Sequence, residues 1–259
     1  MSRSIIHLVT VSLFLVGGWL FVVEASQALD MPEEIMNGKA LYDKACLLCH
    51  GEEGKGDGPV AFFIGSYSAP RPRNFTSGTF KFRSTPSGEM PTDEDLFRTI
   101  TEGIPGYMPP FYRLSERERW NLIAYLKTFS SDFMNESPSP LTLKATPIAF
   151  TDKSVKRGRD LYSQFGCGKC HGENGEGDSG FFSLKDLKDS SGLSIRATDL
   201  TSPSSFKGGS SSQSIARSIL TGLDGTPMPS YLGTVSPETD DLWHLVNYIL
   251  SLSRGASPP

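Results

Sequence analysis

Past residue 30 the chain is one passage written twice, so its fold must be built from two like halves. Gly38-Lys-Ala-Leu-Tyr42 returns as Gly158-Arg-Asp-Leu-Tyr162, and His50-Gly-Glu-Glu-Gly-Lys-Gly-Asp57 as His171-Gly-Glu-Asn-Gly-Glu-Gly-Asp178. Arg98-Thr-Ile-Thr-Glu-Gly103 pairs with Arg217-Ser-Ile-Leu-Thr-Gly222, and Met108-Pro-Pro-Phe111 with Met228-Pro-Ser-Tyr231. Each half closes on Trp-x-Leu-x-x-Tyr, at Trp120 to Tyr125 and Trp243 to Tyr248. The blocks keep one order, with offsets between 119 and 123 residues, which excludes coincidence.

The remaining repeated block contains all four cysteines, as Cys46-Leu-Leu-Cys49-His50 and Cys167-Gly-Lys-Cys170-His171. C-x-x-C-H is the attachment signal for c-type haem: two thiols add across the vinyl groups and the adjacent imidazole is aimed at the iron. Two disulfides or a cysteine-ligated zinc are the competing uses of four cysteines in an exported protein. The two-residue spacing with histidine directly after argues against both.

The periodicity predicts helices over 32–45 and 153–165 leading into the two motifs, short helices over 93–102 and 211–221, and closing helices over 115–132 and 237–253. The glycine-rich run after each motif histidine reads as loop, and the serine-rich stretch 190–214 as surface loop. Asn135-Glu-Ser-Pro-Ser-Pro140 has linker composition. In the final helix Leu242, Leu245, Val246 and Ile249 form an apolar stripe, from which His244 faces away as a solvated histidine. Gly38 and Gly158 sit inside helices, where glycine costs about 1 kcal/mol relative to alanine, so a close backbone approach is expected at both.

An iron held by one imidazole needs a second ligand or stays open. Of the four histidines His7 lies near the N-terminus, His50 and His171 belong to the motifs, and only His244 remains, so two bis-histidine irons are excluded. Thioether sulfur is the natural alternative and raises the potential. Met228 is the second half's one methionine. The first half has Met90, Met108 and Met134 beyond its motif, and Met108 occupies the Met228 position of the repeat. The His-to-Met separations are 58 and 57 residues, and both sulfurs precede proline in loops between predicted helices. Met90 also precedes proline but has no counterpart. Arg71 and Arg196 follow the two motifs at similar distances and are candidate partners of haem propionates, exposed surface arginine being the other reading.

On these motifs each half resembles a class I cytochrome c domain, similar to the haem c domains of bacterial terminal oxidase subunits. The resemblance spans roughly 33–132 and 153–253. It implies an all-α fold of two tandem, loop-rich helical domains, each around one covalent haem c, with His50/Met108 and His171/Met228 as axial pairs. It also implies one-electron transfer between redox protein partners rather than catalysis, and crossings of Gly38 against Tyr125 and Gly158 against Tyr248. A haem-bearing subunit of a membrane oxidase or dehydrogenase complex is the alternative, followed by a di-haem peroxidase, which would need one iron with a releasable sixth position.

Arg3 followed by the apolar run 5–23 and Ser26-Gln27-Ala28 reads as an export signal. The expected layout is therefore 1–28 signal peptide, 29–137 first domain, 138–152 linker and 153–259 second domain, in the periplasm. If 5–23 is retained, it is a membrane anchor and the one expected membrane contact. A net charge of −4 without a basic stripe argues against nucleic acid. Residues 29–137 carry 12 Lys+Arg against 16 Asp+Glu and residues 138–259 carry 12 against 12, so a partner of the first domain should present positive charge.

Overall fold

Each half is a pair of crossed helices with a shorter helix beside them, and the crossing is what brings the haem motif to the core. The computed structural model describes residues 31–63, 70–135, 137–143, 147–177 and 187–253. The expected signal segment 1–28 lies outside them. In the first half the helices are α1 (Glu33–Ala45), α2 (Leu47–His50), α3 (Asp93–Glu102), α4 (Glu116–Leu126) and α5 (Asp132–Asn135). In the second they are α6 (Asp152–Gln164), α7 (Gly168–His171), α8 (Ser212–Thr221) and α9 (Asp240–Leu252). Among the described residues there is no β-strand, only the isolated bridges Ile104–Met108 and Lys188–Ser194. The fold is all-α, and no described helix is long and apolar enough to cross a membrane.

Local chemistry sets the starts of these helices. Thr92 with Asp95, and Ser115 with Glu118, form reciprocal capping boxes at α3 and α4. Thr151 and Ser211 cap α6 and α8 with their hydroxyls. Glu33 and Glu34 stand at the positive end of α1, and Lys44 at its negative end.

α1 crosses α4 and α6 crosses α9 through the two interior glycines. A Cβ on Gly38 would run into the Asn121 carbonyl, and one on Gly158 into the His244 carbonyl, with the Tyr125 and Tyr248 side chains close behind. Gly158→Ala should therefore invert the usual sign: instead of gaining about 1 kcal/mol of helix propensity, it should lose about 1–3 kcal/mol to overpacking. Thermal unfolding measures this, and a stabilised variant would refute the tight crossing.

Three expectations need correction. The first closing helix does not run on through residue 132: α4 tightens into a 3-10 turn at Lys127–Phe129, and Ser130 is extended. The break lets Phe129 turn inward against Tyr42, Tyr125 and Phe75, while Phe133 packs edge-on to Phe80. The serine-rich stretch is only partly surface, because Leu200 and Phe206 are buried in the second core. His244 is not a free solvated side chain. Its Nδ1 lies 2.8 Å from Ser154 Oγ, and Ser154 in turn accepts from Asn247, so the imidazole ties α6 to α9.

From Pro32 onward the chain forms one compact unit. Arg83, fully buried, donates to the Thr221 carbonyl of the other half at 2.8 Å and pairs with Asp224 at 2.8 Å. Asp224 also accepts from Ser87 Oγ and the Gly88 amide. The stretch expected as linker helps to bind the halves: the Leu141 amide donates to the Ser84 carbonyl, while Leu141, Leu143 and Ile148 pack on the second core.

Candidate functional site

α1 delivers Cys46 at its C-cap, and the single turn of α2 sets Cys49 and His50 beside it. In the second half α6 is capped by Phe165, Gly166 follows, and Cys167 stands at the N-cap of α7, whose turn carries Cys170 and His171. A tyrosine hydroxyl holds each motif in place. Tyr42 donates to the Gly51 carbonyl at 2.6 Å and Tyr162 to the Gly172 carbonyl at 2.7 Å. Each tyrosine is itself fixed edge-on to the closing aromatic, Tyr125 at 5.3 Å and Tyr248 at 5.2 Å between ring centres. The glycine loops then fold back identically, with the Gly56 and Gly177 amides donating to the His50 and His171 carbonyls at 2.8 Å.

The two imidazoles make the same backbone contact. His50 Nδ1 lies 3.1 Å from the Arg73 carbonyl and His171 Nδ1 2.9 Å from the Thr198 carbonyl. A carbonyl only accepts, so the proton sits on Nδ1 and the Nε2 lone pair is free for a metal. Burial lowers both imidazole pKa values, which keeps the rings neutral as ligation requires. His50 is further held by stacking on Phe75, with ring centres 4.5 Å apart.

The methionine loops are equally matched. α3 and α8 end at Gly103 and Gly222, both with positive φ, where a Cβ would collide with the Met108–Pro110 backbone and with Pro229–Ser230. That close return puts each loop against its own helix end. Ile104 and Met108 exchange backbone hydrogen bonds at 2.8 and 2.9 Å, and the Leu223 amide donates to the Met228 carbonyl at 3.1 Å. Met90 belongs elsewhere: it is 2% exposed inside the first core.

All of these groups converge on one cavity of about 350 Å³. Both motifs line it, as do Met108 and Met228, with apolar walls from Leu96, Ile100, Ile215 and Ile219. Arg71 and Arg196 line it too, and Arg71 Nε is buried without a hydrogen-bond partner. A buried orphan donor calls for an acceptor, and a haem propionate is one. The donor set therefore fits haem: neutral imidazole, thioether and paired thiols in an apolar space with cations at its wall. Burial pushes the Cys46 and Cys167 thiols up to about 11. Among the described residues no group of three or more His, Cys, Asp or Glu is placed to hold a metal ion.

Sequence reasoning missed three cavity residues. Arg73 presents its carbonyl to His50 while its guanidinium bonds the Thr79 carbonyl at 2.5 Å. Lys81 and Lys207 also line the cavity. The signal for the lysines was present as a further repeat, Phe80-Lys81 and Phe206-Lys207, hidden because its offset of 126 departs from the other blocks.

Residues 33–126 match the family model "Cytochrome C oxidase, cbb3-type, subunit III", and residues 155–253 match the model "Cytochrome c". Among solved structures, a chain of the Kuenenia stuttgartiensis reducing HAO-like protein complex Kustc0457/Kustc0458 is 40% identical, with a TM-score of 0.76. The match covers 86% of this chain and 97% of that one. No curated protein matches.

Proposed function

Because the chain belongs to the c-type cytochromes, with two cytochrome c domains in tandem and two covalently bound c-type haems, we propose that it carries single electrons between periplasmic redox partners without catalysing substrate chemistry. In this reading the domains span 29–137 and 153–259, joined by 138–152 and preceded by a cleaved signal, 1–28. Cys46 and Cys49, and Cys167 and Cys170, bear the haems as thioethers. His50 and His171 supply nitrogen ligands, and Met108 and Met228 sulfur ligands. Arg71 and Arg196 offer forked donors to propionates. The haem supplies reversible one-electron exchange at its iron.

One observation carries this reading: in both halves a neutral, Nδ1-pinned imidazole and a backbone-locked methionine line the same cavity. The carbonyl bond at Nδ1 fixes ring orientation and raises the basicity of Nε2. The tyrosine struts and glycine loops hold that orientation without a moving part, which suits a site that must change charge while its geometry stays fixed.

Spectrally monitored redox titration of protein taken from the periplasmic fraction tests it. The expected result is two covalent haems per chain, both low-spin in each oxidation state, on a mature chain beginning near Leu29. Fewer than two haems, or one that stays high-spin when reduced, would overturn the assignment. A second reading has its own support. The 40% identical chain comes from a protein complex, which favours a fixed electron-relay subunit over a free carrier. Co-purification with a stable redox protein partner through gel filtration at high salt would select that reading.

A further inference from the structure

Lys81 and Lys207 stand at equivalent places in the two domains, each directly after a phenylalanine buried in its own core. The fold brings them to one place in the wall of the shared cavity. Lys207 Nζ reaches across to lie 5.2 Å from the ring centre of Tyr107 in the other domain, and Gly208 packs against Phe82, the residue after Lys81. Arg73 joins them: it lines the same cavity, and a side chain added at Gly225 in the second domain would meet its guanidinium. The three are close enough for Arg73 and Lys207 each to depress the Lys81 pKa.

Half-burying three like charges together is unfavourable twice over, by lost hydration and by repulsion. The offset among the described residues is partial: Asp189 acts on Lys81, Asp189 and Asp224 act on Arg73, and Lys207 rests over the Tyr107 ring. Among the described residues neither lysine makes an ion pair or a hydrogen bond with a carboxylate. Asp189 faces the group, but its Oδ1 is taken by the amides of Ser191 and Leu193. Burial, with Arg73 adding to it, pushes Lys81 down to about 8, which still leaves it charged at neutral pH. A cluster of this kind in a cavity wall is a seat for anions, and its geometry belongs to both domains rather than either one.

We propose that Lys81, Lys207 and Arg73 form one shared carboxylate seat, holding propionates of both haems, so that each lysine sets the potential of both redox centres. The proposal rests on the two-haem reading above. It differs from a pair of private propionate contacts in one measurable way: a charge removed from one domain must be felt by the iron of the other.

The experiment is redox titration of intact holoprotein carrying Lys81→Gln or Lys207→Gln, with the two waves assigned by the spectra of Met108→Ala and Met228→Ala. Each lysine variant should lower both potentials, by about tenfold in each one-electron equilibrium constant, or about 59 mV. Lys81→Arg and Lys207→Arg should restore both. A shift confined to the variant's own domain, or no shift, overturns the shared seat. Wild-type titrations with and without inorganic phosphate at constant ionic strength separate the anion sources. Potentials that move with phosphate in wild type and not in Lys81→Gln would overturn the proposal in favour of a soluble anion. Haem count and spin state, read in the same samples, test the two-haem reading separately: two low-spin haems with private shifts would sink the seat alone.

Discussion

Met108→Ala will convert the haem of the first domain to a high-spin, open form and leave the second haem unchanged; Met228→Ala will do the reverse. Covalent haem content should stay at two in both variants, since the cysteines are untouched. The affected potential should fall by on the order of 0.1 V, a fraction of the roughly 0.8 V that axial ligation commands. The two effects should be nearly equal, because both sulfurs leave loops built in the same way, returned by a positive-φ glycine and locked to the helix end by backbone hydrogen bonds. Met90→Ala is the contrasting variant. Met90 is buried in the first core, so its truncation should cost about 2–5 kcal/mol of stability with no change in spin state. Visible and near-infrared spectra with redox titration read all three. If Met90→Ala disturbs the first iron and Met108→Ala does not, the ligand assignment is wrong.

Arg83→Met should cost about 3–5 kcal/mol, the loss typical when one partner of a buried ion pair is removed. Arg83 serves both domains at once. Its Nη1 donates to the Phe80 carbonyl at 2.9 Å and its Nε to the Pro86 carbonyl at 3.0 Å, which shapes its own loop. Its Nη2 reaches the Thr221 carbonyl and Asp224 across the seam. Without it, the Asp224 carboxylate keeps hydrogen bonds from the uncharged Ser87 hydroxyl and Gly88 amide, with Arg73 acting at longer range. The midpoint of thermal unfolding should drop on the order of 10 °C, and the transition should split as the two domains lose their common anchor. Arg83→Met with Asp224→Asn should recover part of the loss, and the coupling energy follows from the double-mutant cycle. A single-variant loss below about 1 kcal/mol would mean that the seam is held elsewhere.

The two C-x-x-C-H motifs, most of the long helices and the close approaches at Gly38 and Gly158 were legible from the chain alone. Each is marked by something local: a fixed spacing, a capping residue, an apolar period or a block that recurs. Repetition is also what favours Met108 over Met90 as the proposed ligand, since Met108 has a counterpart in Met228 and Met90 has none. His244 shows where such reasoning stops. Its helical position points away from the apolar stripe, yet it bonds to Ser154, 90 residues earlier in the chain. A periodic pattern says which face is polar and is silent about what that face will meet.

The covalent chemistry and the fold of each half were therefore determined by sequence, because they depend on groups a few residues apart or on a repeated pattern. The union of the halves into one unit with one cavity was decided only in three dimensions. Arg83 and Thr221 are 138 positions apart, and no spacing rule links an arginine in one repeat to a carbonyl in the other. The same holds for Lys81 and Lys207. Each reads as an ordinary charged residue until packing removes its water and sets the other beside it, and a charge acquires meaning only from the dielectric and the neighbours that the fold imposes.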